Sequence, residues 1–344
     1  MTELGAAIRF LRFAGSRVAF AVSGEGPPLV AAAWWVSHLE LDWRDEAFRS
    51  FWGSTAAGHA LVRYDHPGTG MSDREVDPTT LTLDDEVALL GAVMDELGLD
   101  RASLVGGSSG GCAAIAFAAR FPERVDRLLL YGAYAHGPSI APPDVRGAIA
   151  AAVRAHWGLG SRVLADVFVG AEDGEARRRF VRDQRASAQA ETAAALLELA
   201  YRMDVRPLLE QVRAPTVVVH RRADRAIPYA CGRDLAGSIR GARLVSVPGD
   251  AHLPWVGDWM SVSRALGSFL TGTHAADPAA AVLLSRRERE VLRLVADGLS
   301  DREIAERIAV SHHTVHRHVA NIRHKLGSAS RAAAVAEAVR LGLL

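Results

Sequence analysis

Along residues 1–272, short apolar runs alternate with longer stretches whose apolar residues recur at helical spacing. Ile8-Arg9-Phe10-Leu11-Arg12-Phe13 alternates apolar with polar, and Val18 to Val22 follows a turn at Gly15-Ser16, so two strands are predicted. Leu29 to Trp35 is apolar throughout, which suits a strand buried on both faces. A helical stretch around Trp43 to Thr55 leads to a strand over Ala60–Tyr64, and Asp84 to Leu97 is amphipathic. Strands over Ala102–Val105 and Val125–Tyr131 flank the Ala-rich helical run Ala113–Arg120. The rhythm breaks from Ala135 to about Val212, a helical stretch with Pro138, Pro142 and Pro143 near its start. It resumes with a strand over Thr216–His220, a helix near Tyr229–Ser238, a strand over Ala242–Val247 and a helix from about Met260 to Leu270. This alternation predicts the α/β class: a mostly parallel sheet covered on both faces, with 135–212 as a helical cap over its carboxyl edge.

The pattern changes after residue 272. Thr271 to Ala281 is small and polar, so 273–282 reads as a linker between a domain at 1–272 and another at 283–344. The tail predicts a small all-α domain of four helices. Ser285-Arg286-Arg287-Glu288 is a capping box opening the first, which ends at Asp297-Gly298. Ser300 with Glu303 opens the second. Ser311 caps a third over His312–Leu326, which stops at Gly327, and Ser330 caps a fourth to about Leu341. Val315, Val319, Ile322 and Leu326 share one face of the third helix, while Thr314, Arg317, His318, Asn321 and Lys325 lie largely outside it. Two helices joined by a tight turn, the second rich in Arg, His and Asn, is helix-turn-helix logic. The residues expected to meet double-stranded DNA are Thr314, Val315, Arg317, His318, Asn321 and Lys325. Arg and Asn can read base edges; Lys and Thr more often meet phosphate.

Net charge over the whole chain is zero and excludes nothing about partners. Residues 283–344, however, hold ten Arg and one Lys against seven acidic groups, a basic tail on an acidic larger domain. Cys112 and Cys231 are too few for a disulfide framework and read as free thiols. The N-terminus shows no signal-peptide pattern and no apolar run is long enough for a membrane span, so a cytoplasmic protein is expected.

The chemistry centres on Gly106-Gly107-Ser108-Ser109-Gly110-Gly111, between a strand and a helix. Strand, tight glycine turn and helix is the context in which G-x-S-x-G places a serine nucleophile on a strained elbow. Two registers fit, and the distance from the apolar run favours Ser108 over Ser109. Asp224 and His252 follow in the chain order such a serine needs, each just past a predicted strand. Ser108 would attack, His252 would take and return the proton, and Asp224 would hold the imidazole. The N–H groups of Ser109 and Trp35 are the expected oxyanion donors. Asp250 is a rival acid, but it is two residues from His252 and reads as a loop residue. His38 reads as a loop hydrogen-bonding group and Cys112 as core packing. This chemistry calls for no cofactor and no metal, and the tail histidines read as a polar helix face.

Residues 1 to about 272 resemble an α/β-hydrolase of the peroxidase- and esterase-like branch. The likeness rests on the elbow, on Asp65-His66-Pro67-Gly68-Thr69-Gly70-Met71-Ser72, on Asp224 to Pro228 and on Gly249 to His252. Three departures bear on substrate access: Ala33-Trp34 stands where the family often has His-Gly, Pro67 where it often has Arg, and Trp34-Trp35 enlarge the oxyanion loop. The tail closely resembles the LuxR-type DNA-binding domain, on Leu284 to Leu292, Gly298-Leu299-Ser300, Glu303-Ile304-Ala305, Ser311, Thr314-Val315, His318-Val319, Ile322 and Lys325-Leu326. That resemblance implies a homodimer formed through the fourth helix; the apolar stripe of Val335 and Val339 there suits a dimer face or a face within the domain equally. Together they imply a transcription regulator whose hydrolase-fold domain binds a small molecule, either cleaving it as an ester or similar acyl compound or sensing it without turnover. The alternative is a serine hydrolase carrying the tail as an accessory.

Overall fold

The computed structural model describes residues 7–170, 174–272, 286–308, 310–326, 328 and 330–340. It divides into two compact units, Met1–Gly272 and Thr273–Leu344. The expected linker at 273–282, the Ser285 cap, Gly327 and the end of the last helix at Leu341 lie outside the described residues.

The first unit is built on one eight-stranded sheet in the order β1-β2-β4-β3-β5-β6-β7-β8. The strands are β1 (Ile8–Phe13), β2 (Ser16–Ser23), β3 (Pro28–Ala31), β4 (Ala60–Tyr64), β5 (Ala102–Gly107), β6 (Val125–Tyr131), β7 (Thr216–Arg221) and β8 (Arg243–Val247). β1 and β2 pair antiparallel, as do β2 and β4; every other pairing is parallel. The first hairpin turns at Ala14-Gly15, one residue earlier than the sequence suggested. Both residues have positive φ, 48° and 86°, the backbone a two-residue hairpin requires.

The run expected as one strand over Leu29–Trp35 leaves the sheet after Ala31. The Ala32 N–H still donates to the Val105 carbonyl at 2.9 Å, and the chain then rises over the end of β5. The helical stretch near Trp43–Thr55 is two helices, α1 (Leu39–Arg44) and α2 (Glu46–Thr55). Asp45 breaks them apart: its backbone is extended and its carboxylate accepts the Ala47 N–H, capping α2.

Helices α3 (Leu83–Glu96), α4 (Ser108–Arg120) and α9 (Tyr229–Ser238) bury Leu89, Ile115 and Leu235 against one face of the sheet with Leu104 and Leu128. α2 and α10 (Trp259–Leu270) cover the other face, where Phe51, Trp52, Val262 and Leu266 meet Leu129 and Val217. Burial on both faces explains why the central strands read as continuous apolar runs. Residues 135–212 form α5 (Pro143–Ala155), α6 (Trp157–Phe168), α7 (Gly174–Ser187) and α8 (Ala190–Arg202), with Val153, Leu164 and Leu196 in a core of their own that also takes in Trp35.

The second unit consists of α11 (Arg286–Ala296), α12 (Asp301–Arg307), α13 (His312–Lys325) and α14 (Arg331–Arg340). The Ser300–Glu303 capping box forms, and Ser311 and Ser330 cap α13 and α14 through Thr314 N–H and Ala333 N–H. Val291, Leu292, Ile304, Val315, Ile322 and Ala338 build its core. Val335 packs against that core, so this part of the α14 stripe serves the domain itself; the Val339 side chain lies outside the description. Among the described residues no helix is long and apolar enough to cross a membrane.

Candidate functional site

In the first unit the site lies where the carboxyl ends of β5, β7 and β8 meet the cap. Ser108 follows β5 with φ +51°, one of two described non-glycine residues at positive φ. A left-handed backbone costs roughly 1–2 kcal/mol for a side chain with a Cβ, so this turn is held by its surroundings. The flanking glycines show how. A Cβ on Gly106 would come 2.7 Å from the Gly110 carbonyl oxygen, and one on Gly110 would come 2.6 Å from that of Ala33. Backbone contacts of that kind admit only glycine. With the strain at Ser108, they favour the register centred on Ser108 rather than Ser109.

Asp224 and His252 meet across 28 residues. Asp224 Oδ2 accepts from His252 Nδ1 at 2.9 Å, while Asp224 Oδ1 accepts the N–H groups of Ala226 and Ile227 at 2.9 and 3.0 Å. Burial works against the ionised carboxyl, but His252 and the Ile227 N–H outweigh it and hold the group below the usual carboxylate range. With Nδ1 so occupied, His252 Nε2 is buried and has no hydrogen-bond partner among the described residues. His252 and Ser108 line one cavity of about 120 Å³, with Trp34, Trp35, Phe168 and Trp255 among its walls. The Trp35 indole N–H donates to the Ala193 carbonyl of α8, which ties the loop after β3 to the cap. Ser109 is almost fully buried at the start of α4, where helix N–H groups are free of intrahelical partners.

The other candidates fall into place around this pair. Asp250 makes no bond to His252. His38 caps α1, its Nδ1 accepting the Leu41 N–H. Cys112 is fully buried, donating to the Tyr134 carbonyl, and burial pushes its thiol pKa up. Two arginines that the sequence reading passed over prove central. Arg221, at the end of β7, is buried and donates to the carbonyls of Ala251, Leu253, Pro254, Val256 and Asp258, so one guanidinium fastens the loop that carries His252. Arg63, in β4, lines the cavity itself. The available signal was a charge interrupting an apolar strand run.

In the second unit, Arg317 and Asn321 are exposed on α13 and His318 is partly exposed. Thr314 is partly exposed and bonds Ser311 through its hydroxyl at 2.8 Å. One expected DNA contact, Val315, needs correction. Val315 is fully buried in the domain core, because its place on the apolar stripe outweighs its place in the motif. Lys325 reaches back to α11 and binds the buried Glu288 carboxylate at 2.6 Å, compensating a charge that could not stand alone there. His313, His316 and Ala320 share the exposed surface with Arg317 and Asn321.

The fold and these sites define two modules: a hydrolase-type sheet with a serine elbow, and a small helical domain of the helix-turn-helix kind. Comparison with known proteins names both. Residues 31–158 match the alpha/beta hydrolase fold, and residues 282–338 match the bacterial regulatory proteins of the luxR family. The chain thus carries an α/β-hydrolase domain followed by a LuxR-type domain. It is 38% identical over 125 residues to a 2-hydroxy-6-oxononadienedioate/2-hydroxy-6-oxononatrienedioate hydrolase of Burkholderia vietnamiensis, covering 36% of this chain and 39% of that one. It is 29% identical over 215 residues to a 2-hydroxy-6-oxo-6-phenylhexa-2,4-dienoate hydrolase of Burkholderia cepacia, covering 60% and 74%. The chain therefore spans about two fifths of the first relative's length. Among solved structures, the enol-lactonase of Burkholderia xenovorans LB400 superposes with a TM-score of 0.63 at 24% identity, covering 76% of this chain and all of its own. The bromoperoxidase of Bacillus anthracis superposes with a TM-score of 0.66 at 17% identity, covering 78% of this chain and all of its own. At these identities the likeness is one of fold.

Proposed function

We propose that this chain is a DNA-binding transcription regulator whose hydrolase-fold domain receives a small acyl compound at a Ser108–His252–Asp224 triad. The observation that carries the reading is the buried His252, held by Asp224 on one ring nitrogen and unpartnered on the other, in the cavity that Ser108 lines. In the reaction this geometry supports, His252 Nε2 takes the Ser108 proton as Oγ adds to the acyl carbon. The oxyanion is met by the N–H groups of Ser109 and Trp35, and His252 returns the proton to the departing alcohol. Water, activated by the same nitrogen, then releases the acid and frees the serine. Asp224 stabilises the imidazolium formed at each stage. The named activities of the relatives, all hydrolytic, favour such chemistry over a bare binding pocket. The LuxR-type domain would bind duplex DNA in the cytoplasm as a homodimer, with Arg317 and Asn321 facing the bases.

A genome-wide binding map of the wild type and of Ser108→Ala tests the whole reading. Discrete sites in the wild type, redistributed or lost when Ser108 is replaced, are the expected result; the absence of any discrete site would end the regulator reading. Labelling by a fluorophosphonate separates chemistry from sensing. Ser108-dependent labelling supports a live hydrolase, which is also what the second reading requires: a serine hydrolase with the LuxR-type domain as an accessory. Discrete DNA sites without labelling leave a sensor that binds and does not cleave.

A further inference from the structure

The lining of the cavity holds a charge that the hydrolytic chemistry does not use. Arg63 is 6% exposed and lines the cavity. Its guanidinium lies over the rings of Trp43 and Phe48, at 4.4 and 5.3 Å from their centroids. Among the described residues its Nε has no hydrogen-bond partner and no carboxylate oxygen lies within 4.0 Å of its nitrogens. A buried guanidinium ordinarily has a paired carboxylate. Asp42, Asp45, Asp65 and Asp183 also line this cavity, and each has partners other than Arg63: Asp45 caps α2 and pairs with Arg179, and Asp183 pairs with Arg182. Asp65 accepts from Ser37 Oγ, Leu39 N–H and Met71 N–H, and Asp42 accepts the His38 N–H.

Resting on the reading of this cavity as a small-molecule site, we infer that Arg63 is the recognition residue for a carboxylate on the ligand, and that the ligand joins this carboxylate to an apolar or aromatic body. The aromatic walls supply the body's contacts, and one planar guanidinium accommodates one planar carboxylate through paired N–H donors. Asp42, pushed up to about 7 by burial and by Asp65, can hold a proton and donate it in a hydrogen bond to the same carboxylate.

The test uses the full chain and a pair of probes that differ only in charge, benzoate and benzamide, followed through the fluorescence of the cavity tryptophans. Benzoate should bind about tenfold or more tightly than benzamide. Arg63→Met should erase that preference while leaving benzamide binding in place, and Arg63→Lys should keep part of it. Equal binding of both probes by the wild type overturns the inference and leaves the cavity standing as a neutral-ligand site, even if neither variant folds. A preference for benzoate that survives in folded Arg63→Met overturns it as well. Failure of both probes to bind the wild type overturns the small-molecule reading itself, and this inference with it.

Discussion

Arg221 offers the sharpest test of how the site is held together. It is 1% exposed, and its nearest acceptors are the carbonyls of Val256, Ala251 and Leu253, at 2.5, 2.8 and 3.2 Å. Those of Pro254 and Asp258, at 3.3 and 3.5 Å, are looser. Hydrogen bonds to a charged group contribute roughly 1.5–3 kcal/mol each, and a buried acceptor left without its donor costs about 1–3 kcal/mol. Replacing Arg221 with Met keeps most of the volume and abolishes all five bonds. Relief from burying a charge offsets part of the loss. Counting only the three close acceptors at the low end leaves a net destabilisation of about 3 kcal/mol. In a domain of this size each kcal/mol lowers Tm by roughly 2–4 °C, so a fall of about 6–12 °C is expected by circular dichroism. His252 rides on the same loop, so fluorophosphonate labelling of Ser108 should slow at temperatures where the variant is still folded. Arg221→Lys, with three donors in a different geometry, should fall between. A Tm within about 2 °C of the wild type, with unchanged labelling, would refute the view that this guanidinium holds the His252 loop.

Three further outcomes are expected. Asp224→Asn should slow labelling of Ser108 by about 10²- to 10⁴-fold with little change in secondary structure, because the imidazole loses the partner that fixes its tautomer; labelling at the wild-type rate would remove Asp224 from the site. His66 is buried and bonded to Glu86 through Nε2; burial disfavours its charge, but the Glu86 carboxylate outweighs this and raises its pKa above the ordinary 6.5. The folded state therefore binds this proton more tightly, and its stabilisation is complete below about pH 6.5 and lost as pH rises through the raised value. Urea-unfolding stability should show that decline in the wild type and not in His66→Gln; parallel pH profiles would contradict it. In the LuxR-type domain, Arg317→Ala and Asn321→Ala should each lose roughly 1–3 kcal/mol of binding to a mapped site and relax its sequence preference. Undiminished affinity in both would mean that this face of α13 does not read the bases.

The alternation of strands and helices was legible because each central strand is buried on both faces and each helix on one, which writes burial directly into periodicity. Asp224 and His252 were legible because strand ends in such sheets converge, so chain order and loop position substitute for distance. Val315 was misread because adjacency in a motif says nothing about which side of a helix a residue occupies. Arg63 and Arg221 show the limit most clearly. Each is a charge at or near the carboxyl end of a buried strand, Leu-Val-Arg-Tyr in one case and Val-Val-His-Arg in the other, and in sequence they look alike. In the fold the terminal N–H groups of Arg221 meet a ring of backbone carbonyls, whereas the Arg63 guanidinium meets aromatic faces and the cavity. The same side chain is thus fastened in one place and left waiting in the other. That difference in partners, which no local pattern encodes, is what makes the first a structural bolt for His252 and the second a receptor for charge on whatever enters.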